Sequence, residues 1–265
     1  MWKNFSLVLF LGLMAALPAR ALMVPAGDML AGVRPGPDGK IDVLTVFAHE
    51  DDESIYGGGT LIKIKKDPRV RLHILCLCRG NWPEQAKDLG IEEDYLVSIR
   101  TQELLSAAAV LKADDVTHWN YDDLELAKLD QAKLLADILA VMNQTGAEIV
   151  ITHDPAGITR NSDHIVCSRQ ATAAFSQSPA QRLYYPTLPA PIYKVAMYLE
   201  RQEWQGDVVT PAEPTFDVDI RAERDLKRMA CYEHASQISF SDLGTVVNIL
   251  LKFPKEYWAL GGKKD

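Results

Sequence analysis

The chain has 265 residues, 48% hydrophobic and 24% charged, which excludes a disordered, collagen-like or coiled-coil protein and leaves room for a sizeable core. Its formal charge is −8 and no basic run interrupts it, so no nucleic-acid partner is expected, because such binding draws on Lys and Arg. Four cysteines are too few to staple a chain of this size.

Residues 1–21, MWKNFSLVLFLGLMAALPARA, carry a basic Lys3, an apolar run from Phe5 to Leu17, and the small residues Ala19 and Ala21. The run is short for a membrane span and suits a secretory signal peptide cut after Ala21. An uncleaved anchor is the alternative. The mature chain is then expected to be exported, periplasmic or secreted, without a transmembrane segment. Disulfides are permitted there. Cys76 and Cys78 are expected on one face of one strand, badly placed to bond each other. Whether Cys167 and Cys231 pair is unreadable. No C-x-x-C occurs, which argues against a cysteine zinc site.

Residues 22–40 are a Gly- and Pro-rich lead-in. IDVLTVF (41–47) and VRLHILCL (70–77) read as buried strands, being near-continuous apolar runs rich in β-branched residues. The stretch 54–67 reads as a turn feeding a helix. Helical spacing marks 91–112 and 129–143, with a short strand at 116–120 between them. A buried strand at 147–152 precedes a helix at 163–177. Beyond residue 179 the pattern changes: 183–199 reads as extended chain and a further strand, followed by a strand at 214–220 and a helix at 221–237. Alternating strands and helices predict a layered α/β fold with a mostly parallel central sheet, in one domain over 41–265.

Ligands of such sheets sit beyond the carboxyl ends of strands. Two strands end in polar clusters: His49-Glu50-Asp51-Asp52-Glu53, and His153-Asp154-Pro155-Ala156-Gly157 followed by Arg160-Asn161-Ser162-Asp163-His164. Four successive acids repel one another unless a cation is near. One His and one carboxylate from the first cluster, with a His from the second, make the mixed set of an open catalytic zinc site. A spare carboxylate beside the metal can take a proton from water. Asp51 and Asp52, pointing opposite ways on an extended loop, would divide these two tasks. A solvated acidic loop and an oxygen-only Ca²⁺ or Mg²⁺ site are the competing readings. Gly57-Gly58-Gly59 is not a G-x-G-x-x-G loop, and the acids before it would repel phosphates. No G-x-S-x-G elbow occurs.

Ala48-His49-Glu50-Asp51-Asp52-Glu53 resembles the A-H-P-D-D-E signature of the PIG-L/LmbE-like de-N-acetylase family. Further matches follow in order: Arg79-Gly80 after the second strand, Arg100 and Glu103 for R-x-x-E, Asp154 to Gly157 with Asp163-His164 for D-x-x-G…H-x-D-H, and His234-Ala235-Ser236-Gln237 for H-x-S-Q. The resemblance implies a Rossmann-like, zinc-dependent (or other divalent-metal) hydrolase acting on an N-acetylated sugar or glycoconjugate. By position it implies His49, Asp52 and His164 as metal ligands and Asp51 as general base. Arg79 is a candidate for holding a substrate hydroxyl or phosphate. Export would favour envelope or scavenged sugars.

The sequence departs from the family pattern twice. Asn161 stands where the family has a His that stabilises the oxyanion. Three readings stay open: Asn161 substitutes as a neutral donor; His153 or Arg160 supplies the charge; or the chain is a secreted carbohydrate-binding protein with a weakened site. Glu50 stands in place of Pro, and the sequence offers no account of it. Arg100 and Glu103 are expected to pair with each other, His234 to pack or cap, and His73 to lie in the core. Trp82, Tyr121, Tyr184 and Tyr185 are read as loop aromatics able to stack on sugars.

Overall fold

The computed structural model describes residues 24–193, 210–238 and 250–264. The signal-peptide reading of 1–21 lies outside them, as does the chain from 194 to 199. Among the described residues no helix is long and apolar enough to cross a membrane.

Seven strands form one sheet in the order β3-β2-β1-β4-β5-β7-β6. They are β1 (Ile41–Phe47), β2 (Val70–Cys78), β3 (Asp115–Tyr121), β4 (Ile149–Thr152), β5 (Arg182–Thr187), β6 (Phe216–Asp219) and β7 (Lys255–Lys263). β1 to β5 pair in parallel, and β7 runs antiparallel to both β5 and β6. The helices are α1 (Asp52–Ile64), α2 (Pro83–Leu89), α3 (Glu93–Leu111), α4 (Gln131–Thr145), α5 (Ser162–Gln177), α6 (Arg224–Glu233) and α7 (Ala235–Ile238).

Side chains alternate across the strands and build a core on each face. Val43, Phe47, Leu72, Ile74 and Ile151 pack with Leu61 of α1, Leu104 and Leu111 of α3, and Trp258. Leu44, Val46, Leu75, Leu77 and Val150 pack with Leu134, Ile138 and Met142 of α4 and Ala171 and Ala174 of α5. The alternation breaks within β2. The β2–β3 register shifts between Cys76 and Cys78, so these residues join opposite cores rather than sharing the expected face. All four cysteines are buried and free.

Three expectations about local structure change. The acidic stretch is no extended loop: Asp51 is the N-cap of α1 and Asp52 its first residue. Two of the three glycines that follow, Gly57 and Gly59, serve close packing. A Cβ on Gly57 would lie 2.9 Å from Trp258, and one on Gly59 2.7 Å from Ile220. Tyr184 and Tyr185 are not loop aromatics but buried residues of β5, their hydroxyls on Met29 O (3.1 Å) and Thr172 (2.8 Å). The helix expected over 221–237 is broken at His234, which caps α6 and leads into α7.

β1 pairs with β2 on one side and β4 on the other, while the crossovers after β1 and β4 leave in opposite directions along the sheet. A topological switch therefore lies between the carboxyl ends of β1 and β4, where the backbones part and a crevice opens. Both polar clusters of the sequence are delivered to that point.

Candidate functional site

His49 follows β1 and Asp52 opens α1. His164 lies in the first turn of α5, after the Asn161 N-cap. The structure brings these three together: their ligand atoms lie within 4.8 Å of one another. His49 Nδ1 is 3.0 Å from His164 Nε2. Asp52 Oδ1 is 3.4 Å from His164 Nε2, and Asp52 Oδ2 is 3.7 Å from His49 Nδ1. The His49 backbone N–H donates to Asp52 Oδ2 (2.8 Å), which fixes the carboxylate relative to the first imidazole.

The far nitrogens decide the chemistry of the near ones. His164 Nδ1 faces the Gly157 carbonyl at 3.0 Å, and a carbonyl only accepts, so Nδ1 carries the proton. His49 Nε2 faces the Asp163 carboxylate at 3.3 Å and carries its proton likewise. In neutral rings this leaves two bare lone pairs opposed at the site. Either a shared proton or a cation must lie between them. Metal-bound histidines have this form, each passing its other N–H to a carboxylate or a carbonyl. The donor set fits a divalent ion such as zinc.

Charge follows the same arrangement. Burial pushes His164 down to about 3. Burial also works against a charged His49, but Asp163, followed by Cys78 and Asp123, together outweigh it and hold His49 well above its ordinary value. Burial, and then the neighbouring charge of Asp52, push Asp51 up to about 7. Asp52 is held far below the usual carboxylate range: burial opposes this, but His164 and His153 prevail. One Asp is thus kept ionised among imidazoles and the other is poised to exchange a proton. Exposure separates them from their support. His49, Asp51 and His164 keep 8%, 6% and 5% of their surface, whereas His153 and Asp163 keep none.

Glu50 now has an explanation. It lies buried under the site, 3.0 Å from Arg100 and 3.2 Å from His118, and Arg100 also meets Asp123 at 3.4 Å. Gly80 makes room for the cluster: it has φ +71°, and a Cβ there would lie 2.5 Å from Arg100 Cδ and 2.6 Å from Glu50 Oε1. Arg100 therefore does not pair with Glu103 as expected. Glu103 instead accepts from the Ser236 N–H (2.8 Å) and hydroxyl (2.6 Å). Two other groups of potential ligands, His49–Cys78–Asp123 and Glu50–Cys76–His118, each include an acid already paired with the Arg100 cation.

The remaining candidates are placed as follows. Arg79 is paired with Asp122 (2.6 Å) and Asp94 (3.5 Å). Asn161 Oδ1 accepts from the Asp163 N–H (2.8 Å), which leaves its amide nitrogen as the donor end. Arg160 reaches the Tyr193 hydroxyl at 3.4 Å. His234 packs as expected, fully buried, with Nε2 3.1 Å from Glu53. His73 is only half-buried and lies on Asp42 at 2.8 Å. Trp82 is exposed. Sequence reasoning assigned no role to Asp163 and read His153 only as a source of charge. The adjacency of Asp163 to His164 was the available signal for the first.

Fold and site together define a layered α/β protein with a buried two-histidine, one-carboxylate cluster at the switch point of its sheet. The family described as PIG-L, GlcNAc-PI de-N-acetylase, matches residues 44–175, and the chain belongs to it. A probable N-acetylglucosaminyl-phosphatidylinositol de-N-acetylase of Schizosaccharomyces pombe is 29% identical over 147 residues, covering 54% of this chain and 55% of that protein, so the alignment spans about half the length of that relative. A 1D-myo-inositol 2-acetamido-2-deoxy-alpha-D-glucopyranoside deacetylase of Rhodococcus jostii is 26% identical over 250 residues, covering 77% of this chain and 84% of that one. Among solved structures, the N,N'-diacetylchitobiose deacetylase of Pyrococcus horikoshii superposes with a TM-score of 0.61 at 20% identity, covering 83% of each chain, which shows the shared fold.

Proposed function

We propose that the protein is an exported, metal-dependent hydrolase that removes the N-acetyl group from an amino-sugar substrate. The observation that carries this reading is the facing pair His49 Nδ1 and His164 Nε2, 3.0 Å apart beside Asp52. That arrangement needs a shared proton or a cation between the rings, and a cation there falls where the family's hydrolytic site is expected. Zinc, or another divalent ion, would be held by His49, Asp52 and His164, where it would polarise the acyl carbonyl and acidify water. The family match, and the sugar substrates named for the Schizosaccharomyces and Rhodococcus relatives, support the substrate class. Export rests on residues 1–21.

The chain's own residues then act in sequence. Asp51 takes a proton from the attacking water as its oxygen bonds to the acyl carbon. The Asn161 amide nitrogen donates to the acyl oxygen as charge gathers there. Asp51 returns the proton to the amine nitrogen as the C–N bond breaks, leaving acetate and a free amino sugar. Asp163 and the Gly157 carbonyl hold the two imidazoles throughout.

A second reading, a carbohydrate-binding protein with a weakened site, is favoured by Asn161 alone, since Asn cannot carry the charge of the family's His. Acetate and amine release from a panel of N-acetylglucosaminides by metal-loaded protein separates the two. Release from at least one substrate supports the hydrolase, and no release from any supports the binding protein.

A further inference from the structure

His153 is fully buried and takes no part in the steps above, yet it contacts two of the three groups proposed to hold the cation. Its ring stacks on His164, with centroids 4.0 Å apart and planes 10° from parallel. Its Nε2 lies 3.2 Å from Asp52 Oδ2 and 3.2 Å from the Ala48 N–H. Its Nδ1 is buried with no hydrogen-bond partner. Two nearly parallel rings cannot both aim in-plane lone pairs at one ion about 2 Å away, so His153 is no fourth ligand. One nitrogen cannot both donate to Asp52 and accept from Ala48. Either choice strands one N–H: that of Ala48 if Nε2 is protonated, that of Nδ1 if it is not. The Asp52 carboxylate decides, because an Nε2 lone pair facing Oδ2 at 3.2 Å is repelled whereas an Nε2–H is attracted. This puts the proton on Nε2, directed at Asp52 Oδ2.

We infer that His153 is a positioning residue, whose Nε2–H holds Asp52 Oδ2 and so presents Oδ1 to the cation beside His164. The inference rests on the metal reading above. With the His49 N–H also on Oδ2, that oxygen has two donors and Oδ1 is left for the ion. Loss of a group that supports a metal ligand in this way typically lowers metal affinity about 10–100-fold.

The test is zinc affinity by chelator competition, with the apo-protein melting temperature and the Co²⁺ absorption spectrum measured alongside. His153→Phe keeps a ring against His164 but removes the donor. His153→Gln places an amide N–H near the Nε2 position, and His153→Asn places one near Nδ1. The expected result is a loss of about 10–100-fold in affinity for the Phe and Asn variants and a changed Co²⁺ spectrum, with Gln restoring most of the affinity. Equal affinity in Phe and wild type overturns the inference, as does a loss in Gln as large as in Asn; the second comparison holds even if Phe fails to fold. Wild type that binds no zinc would instead overturn the metal reading itself.

Discussion

His49 Nδ1 and His164 Nε2 face each other across 3.0 Å, each ring backed by an acceptor that takes the N–H of its far nitrogen. Zinc should therefore stabilise the fold, because the folded chain alone assembles the site. At a free concentration 100 times the dissociation constant, linkage adds about 2.7 kcal/mol. Thermal melts before and after chelation, then after reloading, are expected to show a drop and a recovery. His164→Ala is expected to show neither.

Asp51 is the proposed proton carrier and lies outside the metal-binding set. Asp51→Asn should bind one zinc per chain with unchanged affinity and melt as wild type does. Its turnover should fall by about 10²–10⁴, the usual contribution of a positioned general acid–base. Steady-state acetate release with parallel metal analysis checks this, and normal turnover would remove Asp51 from the mechanism.

Arg100 compensates Glu50 and Asp123 in a buried setting. Arg100→Met strands Glu50 and should destabilise the protein by about 3–5 kcal/mol, read from denaturant unfolding. The double variant Glu50→Gln/Arg100→Met removes both charges and should recover much of that loss.

His118 Nε2 faces Glu50 and the Cys78 carbonyl (2.8 Å), both acceptors. Burial opposes its protonation, but the bond to Glu50 raises its pKa above 6.5, while Arg100, followed by His118, holds Glu50 below 4.5 despite burial. A raised histidine contributes stability that is fully present below its unfolded value and is lost as pH rises through its folded one. The lowered Glu50 contributes above its unfolded value and loses its contribution as pH falls through its folded one. The melting difference between wild type and His118→Gln should therefore be largest between pH 4.5 and 6.5 and shrink above that.

Two neighbouring glycines of α1 should respond in opposite directions. A Cβ on Gly58 meets nothing closer than 3.5 Å, so Gly58→Ala should gain about 0.5–1 kcal/mol of helix stability. Gly59→Ala drives a methyl to 2.7 Å from Ile220 and should cost about 1–3 kcal/mol. Urea midpoints of the two variants measure this.

β1, β2 and β4 were legible because they are largely buried and appear as near-continuous apolar runs, β1 above all. β7 was not, since KEYWALGGK mixes charge, aromatics and glycine without a period. Its two glycines make sense only beside Tyr185 and Phe175, which lie far away in sequence. The ligand types were readable from His49, Asp52 and His164. The Glu50 substitution was not, because its partners Arg100 and His118 come from α3 and β3. Local spacing suggested instead that Arg100 belongs to Glu103. His153 escaped for a similar reason: its role depends on stacking against His164, and nothing in the linear sequence displays that contact.

Anomalous diffraction at the zinc edge from zinc-loaded crystals tests the central claim most directly. One strong peak is expected about 2.0–2.2 Å from His49 Nδ1, His164 Nε2 and an Asp52 oxygen. A fully loaded crystal with no peak there, or with its zinc bound elsewhere, would contradict it.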